Sequence, residues 1–185
     1  MNVEWVEVPG GTCVFGDKAR QIKVSTLLWT RTPITHAQLR GERGGERALH
    51  PVTSLSHAQA AEIAETLGGR LPTSVEWEWM AGGSARRRWP WGDQEWTPER
   101  ANLRGSGVDT TSPVDAHPAG ATPEGLLDVA GNVWEWTARS TMGNGAVLRG
   151  GSYASPPLYA RTTFLNAAPA ELASPGIGLR VVRRP

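Results

Sequence analysis

Two carboxylates seven residues apart flank a glycine-containing turn in Asp128-Val129-Ala130-Gly131-Asn132-Val133-Trp134-Glu135-Trp136, and this is where the 185-residue chain best suits chemistry. A hard cation such as Ca²⁺ takes about six to eight oxygens, mixing carboxylates with backbone carbonyls. Asp128 and Glu135 would supply charge, and the carbonyls of Gly131 and Val133 one side of the shell. By spacing alone the signal is weak, and a solvated turn ahead of a strand suits it better. Cys13 is the only cysteine, which excludes an internal disulfide and suits a small buried hydrophobe. His36, His50, His57 and His117 are too scattered for a metal, and His57, at a helix start, suits packing or capping. Both tyrosines and one of two phenylalanines fall between Tyr153 and Asn166. They either fill a core beside the tryptophans or form a binding surface, where tyrosine gives large contact area at low entropy cost.

The elements that must position these residues are short. Val3-Glu4-Trp5-Val6-Glu7-Val8 alternates, and Pro9-Gly10-Gly11 leads to a second run, Thr12 to Phe15, which reads as a hairpin. Ile22 to Trp29 reads as a third strand and Gly41 to His50 as a surface loop. Ser56 with Gln59, and Thr73 with Glu76, form capping boxes that predict two main helices, the first ending at Gly68-Gly69 and the second at Gly82-Gly83. Ser84 to Leu126 has no periodic element, and its Trp89, Trp91 and Trp96 argue against disorder. Asn132 to Thr137, Val147 to Tyr153 and Gly178 to Val182 read as strands.

Nine Trp beside 22 Gly and 14 Pro predict a loop-rich fold organised by indoles, in one domain over residues 1–185. With 19 basic and 18 acidic residues there is no field to attract polyanions, and Arg86-Arg87-Arg88 is the one local basic run, so nucleic acid is not an expected partner. No apolar stretch approaches the roughly 20 residues of a membrane span. Met1 to Gly16 has no signal-peptide pattern, so the expected location is cytoplasmic, away from membranes.

The chain resembles the formylglycine-generating enzyme, or sulfatase-modifying factor, family. The resemblance rests on Pro9-Gly10-Gly11-Thr12, Pro51-Val52, Gly69-Arg70-Leu71-Pro72-Thr73 with Glu76-Trp77-Glu78, and Pro90-Trp91-Gly92. It continues through Pro113-Val114-Asp115, Gly125-Leu126-Leu127-Asp128, Gly131-Asn132-Val133-Trp134-Glu135-Trp136, Arg149-Gly150-Gly151-Ser152 and Gly178-Leu179-Arg180, in family order. It implies an α+β, C-type-lectin-like fold with structural calcium. One implied site is Asp128, Gly131, Val133 and Glu135, with Asp128 where the family has Asn. The other is Asn102, Leu103 and an acid before Pro113, for which Asp109 is the nearby candidate at a shorter spacing. Catalytic members bind copper through two cysteines, and aligning on Gly-Gly-Ser-Tyr puts Ser155 and Ala160 there, so no copper and no formylglycine generation are expected. The related sulfoxide synthases hold iron with histidines of an added helical domain, which this chain has no room for.

What the resemblance then implies is a non-catalytic module that binds a protein or small-molecule ligand through Tyr153, Ser155, Leu158, Tyr159, Arg161, Thr163, Phe164 and Asn166. A special case is the variable protein of a diversity-generating retroelement, which resembles this family and varies between Arg-Gly-Gly-Ser and the final Gly-x-Arg. The alternatives are a metal-dependent oxidoreductase acting on a peptide or metabolite through a non-standard site, and an accessory subunit of a homologous catalytic partner.

Overall fold

The computed structural model describes residues 3–16, 18–41, 45–138 and 143–185. Its strands are β1 (Trp5–Val8), β2 (Gly11–Phe15), β3 (Arg20–Val24), β4 (Leu27–Thr30), β5 (Trp134–Trp136), β6 (Gly145–Arg149), β7 (Asn166–Pro169), β8 (Ile177–Gly178) and β9 (Val182–Arg183). The helices are α1 (His36–Arg40), α2 (His57–Thr66) and α3 (Ser74–Gly82). They build three sheets, ordered β1-β4-β9, β2-β3 and β7-β6-β5-β8, with β5 and β8 parallel.

The expected β1–β2 hairpin does not form. β1 pairs with β4 (Trp5 opposite Thr30) and β2 with β3 (Gly11 opposite Val24), so the chain changes sheets at Pro9-Gly10-Gly11. The glycines permit this: a Cβ on Gly10 would lie 2.5 Å from the Val24 carbonyl, and one on Gly11 2.4 Å from the Trp79 indole. The expected strand Ile22 to Trp29 is likewise broken into β3 and β4, and Gly178 to Val182 into β8 and β9. Of the stretch Gly41 to His50, residues 42–44 lie outside the described residues.

Both capping boxes form. Ser56 accepts from Gln59 N and Thr73 from Glu76 N, while the Gln59 and Glu76 side chains accept from the cap N–H groups. A third box, Thr35 with Gln38, starts the short α1. Helix α2 packs Ala60 and Ala64 against Trp136, Leu148 and Leu179, whereas α3 packs Trp77, Met80 and Ala81 against Trp29 and Val129. His57 does pack and bond: its ring meets Trp136 edge-on at 5.6 Å and its Nε2 lies 2.9 Å from Thr137 O. From 84 to 126 the one regular element is a 3₁₀ turn at Pro118–Gly120. Trp89 stacks on Trp91 at 5.3 Å, over a cluster with Ala101, Leu103 and Ala160, and this holds the irregular segment. Among the described residues no helix is long and apolar enough to cross a membrane.

Candidate functional site

Two fully buried arginines fix the frame. Arg149, at the end of β6, donates to Glu78 Oε2 (2.9 Å), Ser74 Oγ (2.9 Å) and Phe164 O (3.0 Å), tying α3 to the segment after the 3₁₀ turn Pro157–Ala160. Burial pulls its pKa down, and Glu78 counters this. Arg180 donates to Glu135 Oε1 (3.0 Å) and to the carbonyls of Thr30 (2.9 Å), Arg31 (2.8 Å) and Leu127 (2.7 Å). Trp77 Nε1 donates to the other oxygen of Glu135 at 2.7 Å. A buried carboxylate is tolerated when its charge is matched and its lone pairs are engaged, and here both conditions hold.

After Arg149 the chain turns through Gly150 (φ +93°) and Gly151 (φ +77°), where a Cβ on Gly150 would lie 2.8 Å from Val129 O. Ser155 Oγ accepts from Ser152 N at 3.0 Å and lies 3.2 Å from Ser152 Oγ, and Ala160 is wholly buried. Ser155, expected on the ligand face, therefore sits beneath the surface of the 153–166 segment.

The other residues expected to form a ligand face are exposed or half-buried. Leu158 and Tyr159 are 50% and 38% exposed, Asn166 is exposed, and Tyr153, Arg161, Thr163 and Phe164 are half-buried. Tyr159 stacks on Phe164 at 4.6 Å, and both lie 6.4 Å from Trp134, so a motif tryptophan supports the face. Beside it runs a groove of about 400 Å³, lined among others by Trp134, Tyr153, Asn166, Leu172 and Ser174. Leu165 (47% exposed) and Leu172 (41%) extend the apolar surface. Sequence reasoning includes Leu165 in the 153–166 stretch without naming it as a ligand residue and leaves Leu172 outside it. A larger cleft of about 570 Å³, between Arg31, Gln38 and Asp115, contains none of the sequence-predicted ligand or metal residues.

The Asp128–Glu135 turn is buried and strongly bent, with positive φ at Asp128 (+52°), Gly131 (+80°) and Asn132 (+61°). Burial pushes the Asp128 carboxyl up to about 7, against the lowering effect of its hydrogen bond from Asn132 Nδ2 (3.2 Å). Among the described residues no Lys or Arg forms an ion pair with it. Of the two carboxylates expected to hold a hard cation, Glu135 is already matched by Arg180 and Asp128 has no guanidinium partner among the described residues, while the Gly131 carbonyl accepts from Val133 N at 2.8 Å. The Asn102, Leu103 and Asp109 set does not fit one. Asn102 Nδ2 donates to Thr110 O (2.9 Å), its Oδ1 accepts from Ser106 Oγ (2.9 Å), and its carbonyl accepts from Asn132 N (2.8 Å). Leu103 O accepts from Ser106 N at 2.9 Å, and Asp109 faces solvent. An amide closes this shortened loop. No group of three or more His, Cys, Asp or Glu suited to a metal gathers among the described residues.

Short strands, tryptophan-pinned loops and a loop-borne apolar face define a C-type-lectin-like domain of the formylglycine-generating-enzyme type. Treponema denticola variable protein 1 shares the fold at TM-score 0.81 and 20% identity, over 98% of this chain and 95% of that one. PvdO from Pseudomonas aeruginosa shares it at TM-score 0.83 and 20% identity, over 99% and 95%. The chain belongs to the Sulfatase-modifying factor enzyme 1-like domain family, which matches residues 1–185. It is 34% identical over 206 residues to the Inactive C-alpha-formylglycine-generating enzyme 2 of Bos taurus, covering 94% of this chain and 67% of that protein. It is 38% identical over 142 residues to the hercynine oxygenase of Mycobacterium tuberculosis, covering 64% of this chain and 33% of that protein. The chain thus spans about a third of the hercynine oxygenase it matches.

Proposed function

We propose that the chain is a non-catalytic module that binds a protein or small-molecule ligand through residues 153–166, extended to Leu172. One observation carries this reading. Among the described residues, four of the six large hydrophobic side chains left exposed, Leu158, Tyr159, Leu165 and Leu172, belong to this stretch. Large apolar side chains left exposed along one segment support an interaction site. A photo-crosslinking residue in place of Leu158 tests it in cells of the source. The expected result is one discrete adduct that is lost with Tyr159→Ala and absent when the residue replaces exposed Glu65. The same adducts from both positions would overturn the reading.

In its finer form the module is the variable protein of a diversity-generating retroelement, for which this fold supplies a suitable scaffold. A near-copy of the coding segment for 153–176 beside a reverse-transcriptase gene supports this form, and its absence removes it. We further propose a structural Ca²⁺ held by Asp128 with the carbonyls of Gly131 and Val133. Bound there, the ion would compensate a buried carboxylate and brace the turn. Calcium at about 100 times its dissociation constant should stabilise the fold by roughly 2.7 kcal/mol. An unchanged melting temperature with EDTA and with added Ca²⁺ contradicts the site.

The hercynine oxygenase likeness favours a second reading, in which the domain serves a metal-dependent oxidoreductase, as part of it or as an accessory subunit to a homologous catalytic partner. Neither Ser155 nor Ala160 offers the thiolate that Cu(I) needs, so the redox metal would be held elsewhere. Oxygen uptake by copper- or iron-loaded protein with a thiol or peptide substrate supports this reading. No uptake, and no co-purifying homologue with the cysteine pair, rejects it.

A further inference from the structure

Arg86, Arg87, Arg88 and Arg161, with Thr162 and Thr163, line a pocket of about 330 Å³ at the edge of the binding face. Two strands of chain are stitched together to make it. Thr162 N donates to Arg88 O at 3.1 Å, and the Thr162 hydroxyl donates to Arg87 O. Arg86 holds a left-handed backbone (φ +52°), a conformation that non-glycine residues adopt at some cost and that concentrates at functional sites.

The charges in this pocket are poorly matched. Arg88 pairs with Glu95, whose carboxylate is mostly exposed. Among the described residues Arg86 donates to the Gly16 carbonyl (2.9 Å) and Arg87 to the carbonyls of Pro90 and Ala81 (3.2 Å each), which are neutral acceptors. Arg161 has no side-chain partner among the described residues, and its Nε is buried without an acceptor. No carboxylate among the described residues forms an ion pair with Arg86, Arg87 or Arg161. Among the described residues the two buried guanidiniums, Arg149 and Arg180, are hydrogen-bonded to carboxylates and carbonyls, whereas in this pocket Arg86 and Arg88 are exposed, Arg87 and Arg161 are half-buried, and the Arg161 Nε is buried without an acceptor. Native proteins rarely leave buried donors unpaired or gather like charges without compensation.

We infer that this pocket binds an oxyanion presented by the ligand. Guanidinium groups match carboxylate and phosphoryl oxygens with paired N–H donors, and Arg87, held by two carbonyls, is preorganised for the purpose. The inference rests on the 153–172 face being a ligand surface, since Arg161 and Thr163 belong to both. The oxyanion comes either from an acidic side chain of a peptide or from a small phosphate-like ion, and the chemistry of recognition is the same.

Calorimetric titration of the whole chain at low salt with inorganic phosphate and with a hexaglutamate peptide tests this. Saturable binding of either probe is expected. It should be weakened about tenfold or more by Arg161→Gln, weakened also by Arg86→Gln, and left unchanged by Arg184→Gln at an exposed position away from the pocket. Far-ultraviolet circular dichroism and the melting temperature verify that each variant is folded. Binding of phosphate alone assigns a small-ion source, and binding of hexaglutamate displaced by phosphate assigns an acidic peptide. Absence of saturable binding, or binding that Arg161→Gln leaves intact, overturns the inference. The position-specific adduct at Leu158 is read independently. If it survives while neither anion binds, the ligand face stands and the oxyanion site falls. If the adduct fails while Arg161-dependent anion binding persists, the pocket stands and the protein-binding face falls.

Discussion

Arg149 and Arg161 stand at either end of one loop, and the fold treats their charges in opposite ways. Arg149 is wholly buried, paired with Glu78 and bonded to three backbone carbonyls, whereas Arg161 has a buried nitrogen with no acceptor. The contrast extends to their surroundings. On the Arg149 side lie the motif residues, whose polar groups are spent holding helix α3, the four-stranded sheet and the terminal strand together. On the Arg161 side lie exposed leucines and a tyrosine stacked on Phe164, packing that leaves apolar surface uncovered. The family motifs therefore mark a frame, and the loop between them is what the frame displays.

The largest effect that would sharpen this contrast is expected at Arg180. Arg180→Ala strands Glu135 in the core and orphans three backbone carbonyls, at a cost of about 3–5 kcal/mol. That corresponds to a melting temperature lowered by on the order of 10 °C, measured by thermal denaturation. Because of those carbonyls, replacing Arg180 and Glu135 together by apolar residues should not restore stability, unlike many buried pairs. A melting temperature within a degree or two of the parent for Arg180→Ala would break the comparison from the frame side.

Cys13 gives a kinetic test of the same frame. It is 3% exposed, and burial, reinforced by Glu78, pushes its thiol up to about 11. Alkylation at pH 8 should be at least a hundredfold slower in the native protein than in urea, followed by mass spectrometry. Comparable rates would show the β2–α3 contact to be loose.

Substitutions on the face should do little to stability. Leu158→Ser and Leu165→Ser are expected to change it by within about 0.5 kcal/mol, measured by urea denaturation, while removing the Leu158-proximal interaction. An effect of similar size concerns pH. Burial raises the Glu76 carboxyl, but hydrogen bonds from Arg70 and Thr73 and the Arg70 charge bring it below its ordinary range. A depressed carboxylate pKa contributes stability that is fully present above the unfolded-state value and lost as pH falls through the folded one. The advantage of the parent over Glu76→Gln should therefore be constant near neutrality and vanish in acid. It should stay below about 1 kcal/mol, because Arg70 is half exposed.

The contrast also explains what could be read from the residues alone. Helices α2 and α3 were legible because a capping box is local: Ser56 and Gln59, or Thr73 and Glu76, satisfy orphan N–H groups wherever the helix packs. Strand partners were not, because alternation in β1 and β2 specifies which side chains face inward and not which strand lies alongside. The sheet change at Gly10-Gly11 depends on Val24 and on Trp79, both distant in sequence. β7 was missed because Asn166-Ala167-Ala168-Pro169 has almost no strand propensity and is held by register with β6. The segment proposed as the ligand face was visible from its aromatic content, but the burial of Ser155 depends on a hydroxyl pair with Ser152. Glu135 looked like a free cation ligand because its partners Trp77 and Arg180 lie far along the chain on either side. The Arg86-Arg87-Arg88 run was conspicuous as charge, yet its pocket exists only once Thr162 bonds across to it.

A mutational scan of the whole chain for resistance to proteolysis tests the division between frame and displayed face most directly. Polar substitutions at Leu158, Tyr159, Leu165 and Leu172 should leave resistance near that of the parent, while those at Trp77, Glu78, Glu135, Arg149 and Arg180 should abolish it. If the four face positions prove as intolerant as the frame, they are core, and the binding-face account is contradicted.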